Sequence, residues 1–139
     1  MRVVVHADSL ERTGSGSITG QIYLQAGEKL FPAMGWFDFP VVILNWWLSA
    51  LKRLDGQNVE FSFMDGPFHF VAIPTPTGSL MIECCERGGA PMVRTEANRY
   101  EFVESVQRAG EIILAECHRQ GWADPDITAL ASLVRRNGA

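Results

Sequence analysis

Residues 59–72 read VEFSFMDGPFHFVA, in which two alternating runs flank a short turn. Val59, Phe61 and Phe63 alternate with polar residues, which is the period-two pattern of a strand with one buried face. The same alternation returns over residues 68–72. The segment therefore predicts a β-hairpin, and the rest of the fold can be built outward from it.

The turn of this hairpin contains Asp65, Gly66 and Pro67. Pro67 has no N–H to donate back across a two-residue loop, and it biases the residue before it towards an extended conformation. The simplest Asp-Gly hairpin turn is therefore excluded. We predict a longer or bulged turn from Met64 to Phe68.

Further strands are predicted on both sides of the hairpin. Before it, residues 3–7 and 18–25 alternate in the same way around a Gly- and Ser-rich turn at 13–17. After it, residues 80–86 form a fifth strand and residues 91–95 a short sixth one. The apolar segment from Leu30 to Pro40 does not alternate, and we predict a loop that docks on the core.

Three helices are predicted. The first opens at Pro40 and continues to about Leu54, with Asp38 as its candidate N-terminal cap, and its apolar residues leave only a narrow polar face. The second begins at Asn98, which forms a variant capping box with Glu101. The third follows the Asp-Pro-Asp sequence at 124–126.

This order of elements predicts the fold class. We expect an α+β domain spanning 1–139, with a mainly antiparallel sheet of five to six strands, one inserted helix and two C-terminal helices. A chain of 139 residues is long enough to bury one hydrophobic core.

Composition argues against several classes of partner. The net charge is -4 and the 12 basic residues are scattered, which disfavours nucleic acid. The longest apolar run, from Phe39 to Leu44, is too short to span a membrane. The N-terminus lacks a signal-peptide core, and three cysteines, two of them adjacent, do not form a disulfide framework. We therefore expect a cytoplasmic protein.

No motif predicts catalysis, a cofactor or a metal site. Adjacent Cys84 and Cys85 on one strand point to opposite faces, so they cannot bind one zinc ion together with Cys117 and His118. A nucleophile formed by Cys85 and His69 would need an orienting group and an oxyanion site that the sequence does not identify. The glycines at 14–20 have no P-loop lysine and precede a strand. We expect no enzyme activity.

Aromatic residues are concentrated around the start of the first helix. Within twelve residues lie Trp36, Phe37, Phe39, Trp46 and Trp47, beside Asp38. Tryptophans at helical spacing commonly belong to a core, whereas exposed aromatics commonly anchor protein interfaces. We assign Trp47 to the core and expect Trp36 to be the exposed member.

Three motifs carry a resemblance that covers most of the chain. WFDF at 36–39, NWWL at 45–48 and FMDGP at 63–67 resemble a family of small, mostly uncharacterised bacterial proteins, which share a C-terminal helix ending near Gly121 and an Asp-Pro-Asp start behind it. In size and acidity the chain is also similar to the immunity partners of bacterial toxins. The resemblance supplies no activity and no catalytic residues.

These observations favour a protein-binding module. The most concrete hypothesis is a cytoplasmic immunity or antitoxin-type inhibitor that binds a toxin through Trp36, Phe37, Asp38 and Asp65. The alternative is a small enzyme or ligand-binding protein, with a pocket between the sheet and the first helix that uses His69, Asp65 and a cysteine. A structural subunit of a larger assembly is a third reading.

Overall fold

The computed structural model describes residues 1–138, and its first sheet is organised around one long strand. This strand, β3 (Ile18–Ala26), is hydrogen-bonded antiparallel to four shorter strands. Leu24 pairs with Val3 on one edge of β3 and with Phe31 on the other. The strands of this sheet are β1 (Arg2–Val5), β2 (Glu11–Arg12), β3 (Ile18–Ala26), β4 (Lys29–Phe31) and β5 (Phe37–Asp38).

The second sheet is an antiparallel meander of four strands in sequence order. Its first hairpin is the one that residues 59–72 predict, and its turn is long, since the Phe63 N–H donates to the Phe68 carbonyl across it. This confirms the expectation for Pro67. The strands are β6 (Val59–Ser62), β7 (Phe68–Pro74), β8 (Leu80–Glu86) and β9 (Pro91–Ala97).

The helices lie where the sequence predicts them. They are α1 (Pro40–Ala50), which continues as a 3-10 turn over Leu51–Leu54, α2 (Arg99–Arg119) and α3 (Pro125–Gly138). Asn98 caps α2 by accepting the Glu101 N–H at 3.0 Å. Asp124 accepts the Ile127 N–H at 2.8 Å and thereby caps the first turn of α3.

The α+β class, the antiparallel pairing and the helix positions are confirmed, and two details differ. The strands are divided between two sheets, whereas we expected one sheet of five to six strands. The segment from Leu30 to Pro40 contributes β4 and β5 to the first sheet instead of a loop. Strands of two or three residues are too short to show an alternating pattern, which explains why this segment shows none.

One hydrophobic core lies between the sheets and the helices. Trp47 is fully buried on α1 and packs edge-on against Phe61 of β6, Phe70 of β7 and Phe63, which follows β6. Phe102 of α2 contacts the same cluster. The assignment of Trp47 to the core is confirmed, and its contacts with these phenylalanines hold α1 against the second sheet.

Candidate functional site

Asp38 lies buried at the junction between the two sheets. It belongs to β5, where side chains alternate, so Phe37 points outward while Asp38 is only 2% exposed. The Asp38 carboxylate accepts hydrogen bonds from Trp36 Nε1 at 2.9 Å and from the Phe39 N–H at 2.8 Å. It also accepts the Asp65 N–H, which lies 3.1 Å from Oδ2 and 3.2 Å from Oδ1. Asp38 therefore ties β5 to the β6–β7 turn.

These contacts correct the role of helix cap that the sequence suggests for Asp38. The N-cap residue of α1 is Phe39, and no side chain caps the helix there. The carboxylate instead bonds the N–H groups of residues around it, because burial leaves no water to solvate them. A sequence pattern that places an aspartate before Pro40 does not distinguish the two arrangements.

Burial is the largest influence on the pKa of the Asp38 carboxyl group. It raises the pKa of Asp38 above its ordinary value of 3.8, and the hydrogen bonds from Trp36, Asp65 and Phe39 oppose that rise. The negative charge of Asp65 adds to it. Because the folded-state pKa is higher than the unfolded one, ionised Asp38 destabilises the fold, and this cost is relieved as the pH falls through the raised pKa.

Trp36 is fixed in place by this carboxylate. Its ring packs edge-on against Phe68 with centroids 5.3 Å apart, and its carbonyl accepts the Ile22 N–H. The side chain is partly buried, so the expectation that it is the exposed tryptophan is wrong. The exposed tryptophan is Trp46, which follows one turn after Val42 on α1 and is 44% exposed. The hydrogen bond from Trp36 to Asp38 is what draws the ring inward.

The four predicted partner-binding residues are thus brought together but differ in access. Phe37 is 53% exposed and Asp65 is exposed in the β6–β7 turn. Asp38 and Trp36 lie beneath them and hold them in position. Gly66 completes the turn with a φ of +74°, and a Cβ there would come within 3.3 Å of the Phe68 ring. The turn that presents Asp65 therefore requires glycine at this position.

A pocket of about 350 Å³ opens next to this junction. Its apolar side is formed by Ile18 at the start of β3, by Phe39 and Met64, and by two valines of α1. The turn between β2 and β3 and the first residues of α3 complete its polar side. The polar lining residues are Ser15, Gly16, Ser17, Asp124 and Asp126.

Apolar side chains continue from the pocket onto the surface. Met64 is 49% exposed and precedes Asp65, and Phe37 precedes Asp38. Because the Asp65 N–H donates to the Asp38 carboxylate, Met64 and Phe37 flank the same hydrogen-bonded junction. Val42 lines the pocket, and Trp46 lies one turn further along the same helix face. Phe37, Trp46 and Met64 are exposed, and Phe39 and Val42 are partly buried between them; we call these five residues the exposed apolar surface.

Sequence reasoning identified only part of this surface. Its partner-binding residues include Phe37 of this surface and the neighbouring Asp65, but not Phe39, Val42, Trp46, Met64 or the polar side of the pocket. Met64 belongs to the FMDGP turn and Trp46 to the tryptophan pair, so both lie in motifs already noted. The serines at 15 and 17 and the aspartates at 124 and 126 carry no local signal, because only the fold brings the β2–β3 turn to the start of α3.

The charge around the pocket is acidic. The charge of Asp124 is partly compensated, since Arg12 lies 3.7 Å away and the Ile127 N–H of α3 donates to its carboxylate. Asp126 and Asp65 are exposed to solvent. Asn45 fixes the start of α3 by donating from Nδ2 to the Asp126 carbonyl at 3.0 Å. The pocket lining as described contains no lysine or arginine.

The histidine and cysteine of the alternative hypothesis lie elsewhere. His69 and Cys85 are directly opposed on β7 and β8, on the face of the second sheet that points away from the core. His69 Nε2 is 3.7 Å from Glu60 Oε1. Burial, followed by the charges of Glu83 and Glu60, raises the pKa of the Cys85 thiol. A catalytic thiol requires the opposite shift.

Within residues 1–138 no three His, Cys, Asp or Glu side chains are grouped so that they could hold a metal ion. None of the described helices has the length and apolar character needed to cross a membrane. Comparison of the chain with protein-family models, with curated proteins and with solved structures found no match.

Proposed function

We propose that this protein is a protein-binding module that docks through the exposed apolar surface and the adjoining pocket. The observation that carries the proposal is that Met64, which is 49% exposed, lines the pocket, while Phe37 and Trp46, 53% and 44% exposed, lie two residues from Phe39 and one helical turn from Val42, which also line it. Large apolar side chains grouped in this way around a pocket are typical of interfaces, where a few aromatic anchors supply most of the binding energy.

The site favours a partner segment with one apolar anchor flanked by basic residues. The apolar wall of Ile18, Val41 and Val42 accepts a side chain of moderate size in a volume of about 350 Å³. Asp126 lines the pocket and Asp65 follows the lining residue Met64, and the lining contains no lysine or arginine, so basic residues on the partner would complement these carboxylates. The net charge of -4 favours the same partner at long range.

The specific role we propose is that of a cytoplasmic immunity or antitoxin-type inhibitor that occludes the active site of a bacterial toxin. Support comes from the acidic surface, from the small size of the chain and from the resemblance of its three motifs to small bacterial proteins. The rigid junction at Asp38 also supports it, because an inhibitor that presents a preorganised surface loses less entropy on binding.

A small-ligand or enzyme function is the second candidate. It is favoured by the presence of a pocket lined by Ile18 of β3 and by Val41 and Val42 of α1. It is weakened by the location of the reactive groups. His69 and Cys85 lie on the outer face of the second sheet, and burial raises the pKa of the Cys85 thiol, which disfavours a nucleophilic thiolate.

The experiment that tests docking starts from the product of the neighbouring open reading frame, because immunity proteins are commonly encoded beside their toxins. Its affinity is measured against the wild type and Phe37→Ala by calorimetry. Phe37 is an exposed anchor, so we expect Phe37→Ala to lose about 30-fold or more in affinity, with a change in unfolding free energy of about 0.5 kcal/mol or less.

Tyr100→Ala is the matched control, since Tyr100 is an exposed aromatic at the start of α2 and is 74% exposed. It should bind as the wild type does. Cells that express the neighbouring protein should survive with the wild type and die with Phe37→Ala. If both variants lost affinity equally, the interface would lie elsewhere. If the wild type formed no complex with the neighbouring protein, the immunity role would be wrong.

A further inference from the structure

Strand β9 forms an open edge of the second sheet. It pairs with β8 and with no other strand among residues 1–138. It is seven residues long, and Met92, Arg94 and Glu96 are exposed along it. The backbone groups on the free side of such an edge are available to a further strand.

We propose that this edge binds the same edge of a second copy of the chain, with β9 antiparallel to its counterpart. The paired strands would be related by a two-fold axis through Thr95, which places Arg94 opposite Glu96 of the other copy and Glu96 opposite Arg94. The surface is self-complementary, as a closed dimer requires. The inference does not depend on the proposed docking surface.

The charges along the outer face fit this register. Arg94 already binds Glu83 of β8, with Nε 3.0 Å from Oε2, and is still 64% exposed. Its guanidinium carries further N–H donors on the terminal nitrogens for a second carboxylate. Directly opposed residues on antiparallel strands approach to about 5 Å between Cβ atoms. On each side of the two-fold axis, Arg94 would therefore lie between two carboxylates, Glu83 of its own chain and Glu96 of the other copy.

The core-facing side of β9 is compatible with the same register. Val93 packs against the hydrophobic core and Ala97 is buried, so the two would be opposed in the dimer. Thr95 would face Thr95 of the other copy, which is a favourable cross-strand pair. The junction therefore introduces no buried charge on the core side.

The neighbouring registers are disfavoured. A shift of one residue brings the outer face of one sheet onto the core face of the other. A shift of two residues in one direction places Arg94 opposite Arg94 of the other copy. A shift of two residues in the other direction places Glu96 opposite Glu96. Like charges directly opposed destabilise a strand pair. The charges that would repel a misaligned edge therefore select a single alignment of two copies.

The test measures the mass of the purified full chain by sedimentation equilibrium over a range of concentrations. The wild type should have the mass of two chains, against 15.4 kDa for one. Arg94→Glu and Glu96→Arg each create two like-charge pairs, so each should raise the dimer dissociation constant about tenfold or more. Lys29→Glu, a reversal at an exposed lysine of β4 in the first sheet, is the control and should leave the dimer intact.

Mixing the two single variants gives the sharpest readout. In a heterodimer of Arg94→Glu with Glu96→Arg, both cross-strand pairs are again of opposite charge, so the mixture should associate more tightly than either variant alone. The double variant, Arg94→Glu with Glu96→Arg in one chain, should also dimerise. Circular dichroism confirms that each variant is folded.

Three results would overturn the proposal. The first is a wild type that stays monomeric at its highest soluble concentration. The second is a dimer that survives both single reversals. The third is a mixture that does not associate although both variants are folded and monomeric.

Discussion

Trp47 and Trp36 both donate a hydrogen bond from the indole N–H, but their surroundings differ. Trp47 is fully buried, and its Nε1 donates to the Ser62 carbonyl at 2.8 Å. Trp36 is partly buried, and its Nε1 donates to the Asp38 carboxylate at 2.9 Å. One ring is surrounded by phenylalanines, whereas the other has one aromatic neighbour, Phe68, and a buried charge.

The two tryptophans therefore have different roles: Trp47 stabilises the fold, whereas Trp36 helps to position exposed residues. Burying Trp47 joins α1 to the second sheet, so the energy of the whole fold depends on it. Trp36 instead helps Asp38 to hold β5 against the β6–β7 turn, and this junction presents Phe37 and Met64 to solvent. Substitutions in the two regions should therefore have effects of different size and kind.

The largest effect is expected at Trp47. Trp47→Ala removes a fully buried indole that touches three phenylalanine rings, and it should cost about 3–5 kcal/mol of unfolding free energy. Because domains are stabilised by only about 5–15 kcal/mol, the variant should unfold or aggregate near physiological temperature. Urea unfolding followed by circular dichroism measures the loss.

Trp46→Ala is the matched control, since the two tryptophans are adjacent on α1 and Trp46 is 44% exposed. It should change the unfolding free energy by about 0.5 kcal/mol or less. If the two variants lost equal stability, the assignment of one ring to the core and the other to the surface would be wrong.

A smaller loss is expected for Trp36→Phe. This change keeps an aromatic ring against Phe68 but removes the N–H that bonds the Asp38 carboxylate. Hydrogen bonds to charged groups contribute about 1.5–3 kcal/mol, and we expect a loss in that range at neutral pH. The variant should also bind a partner more weakly, because the junction that positions Phe37 is loosened.

The pH dependence of this loss identifies its cause. The Trp36 hydrogen bond lowers the pKa of Asp38 against the larger effect of burial, so its removal raises that pKa further. The penalty of Trp36→Phe is therefore full where Asp38 is ionised and shrinks as the pH falls through the raised pKa. Unfolding free energies measured at about pH 7 and about pH 4 should differ in this direction. A penalty that is independent of pH would mean that packing, not the hydrogen bond, accounts for it.

Much of the fold follows from local patterns. The hairpin at 59–72, the caps at Asn98 and Asp124 and the buried side of α1 depend on residues close in sequence, and the structure confirms them. The division into two sheets does not follow, because alternation shows that a segment is extended without showing which strand it pairs with. The short strands β4 and β5 are set by their contacts with β3 and leave no pattern of their own.

The site was less predictable than the fold. The motifs identified Phe37 and Asp65, but the exposure of Trp36 was inferred wrongly because its partner, Asp38, looks in sequence like a helix cap. The pocket joins residues from positions 15 to 126, and no local pattern connects them. Long-range contacts, not residue types, determine which of the aromatics reach solvent.

The smallest effect is expected at His69, which lies on the outer face of the second sheet, away from both tryptophans. His69→Ala removes a partly buried ring and its contact with Glu60 at 3.7 Å, which is a weak surface pair, so stability should change by about 1 kcal/mol or less. Protection of cells against the neighbouring gene product should be unchanged, since a docking surface around Phe37 does not use this ring. Cys85→Ala should behave in the same way, because burial and the nearby carboxylates raise the pKa of its thiol. If both variants fold and both abolish activity, the function belongs to the His69 and Cys85 pair, and the comparison of the two tryptophans describes only how the scaffold is held together.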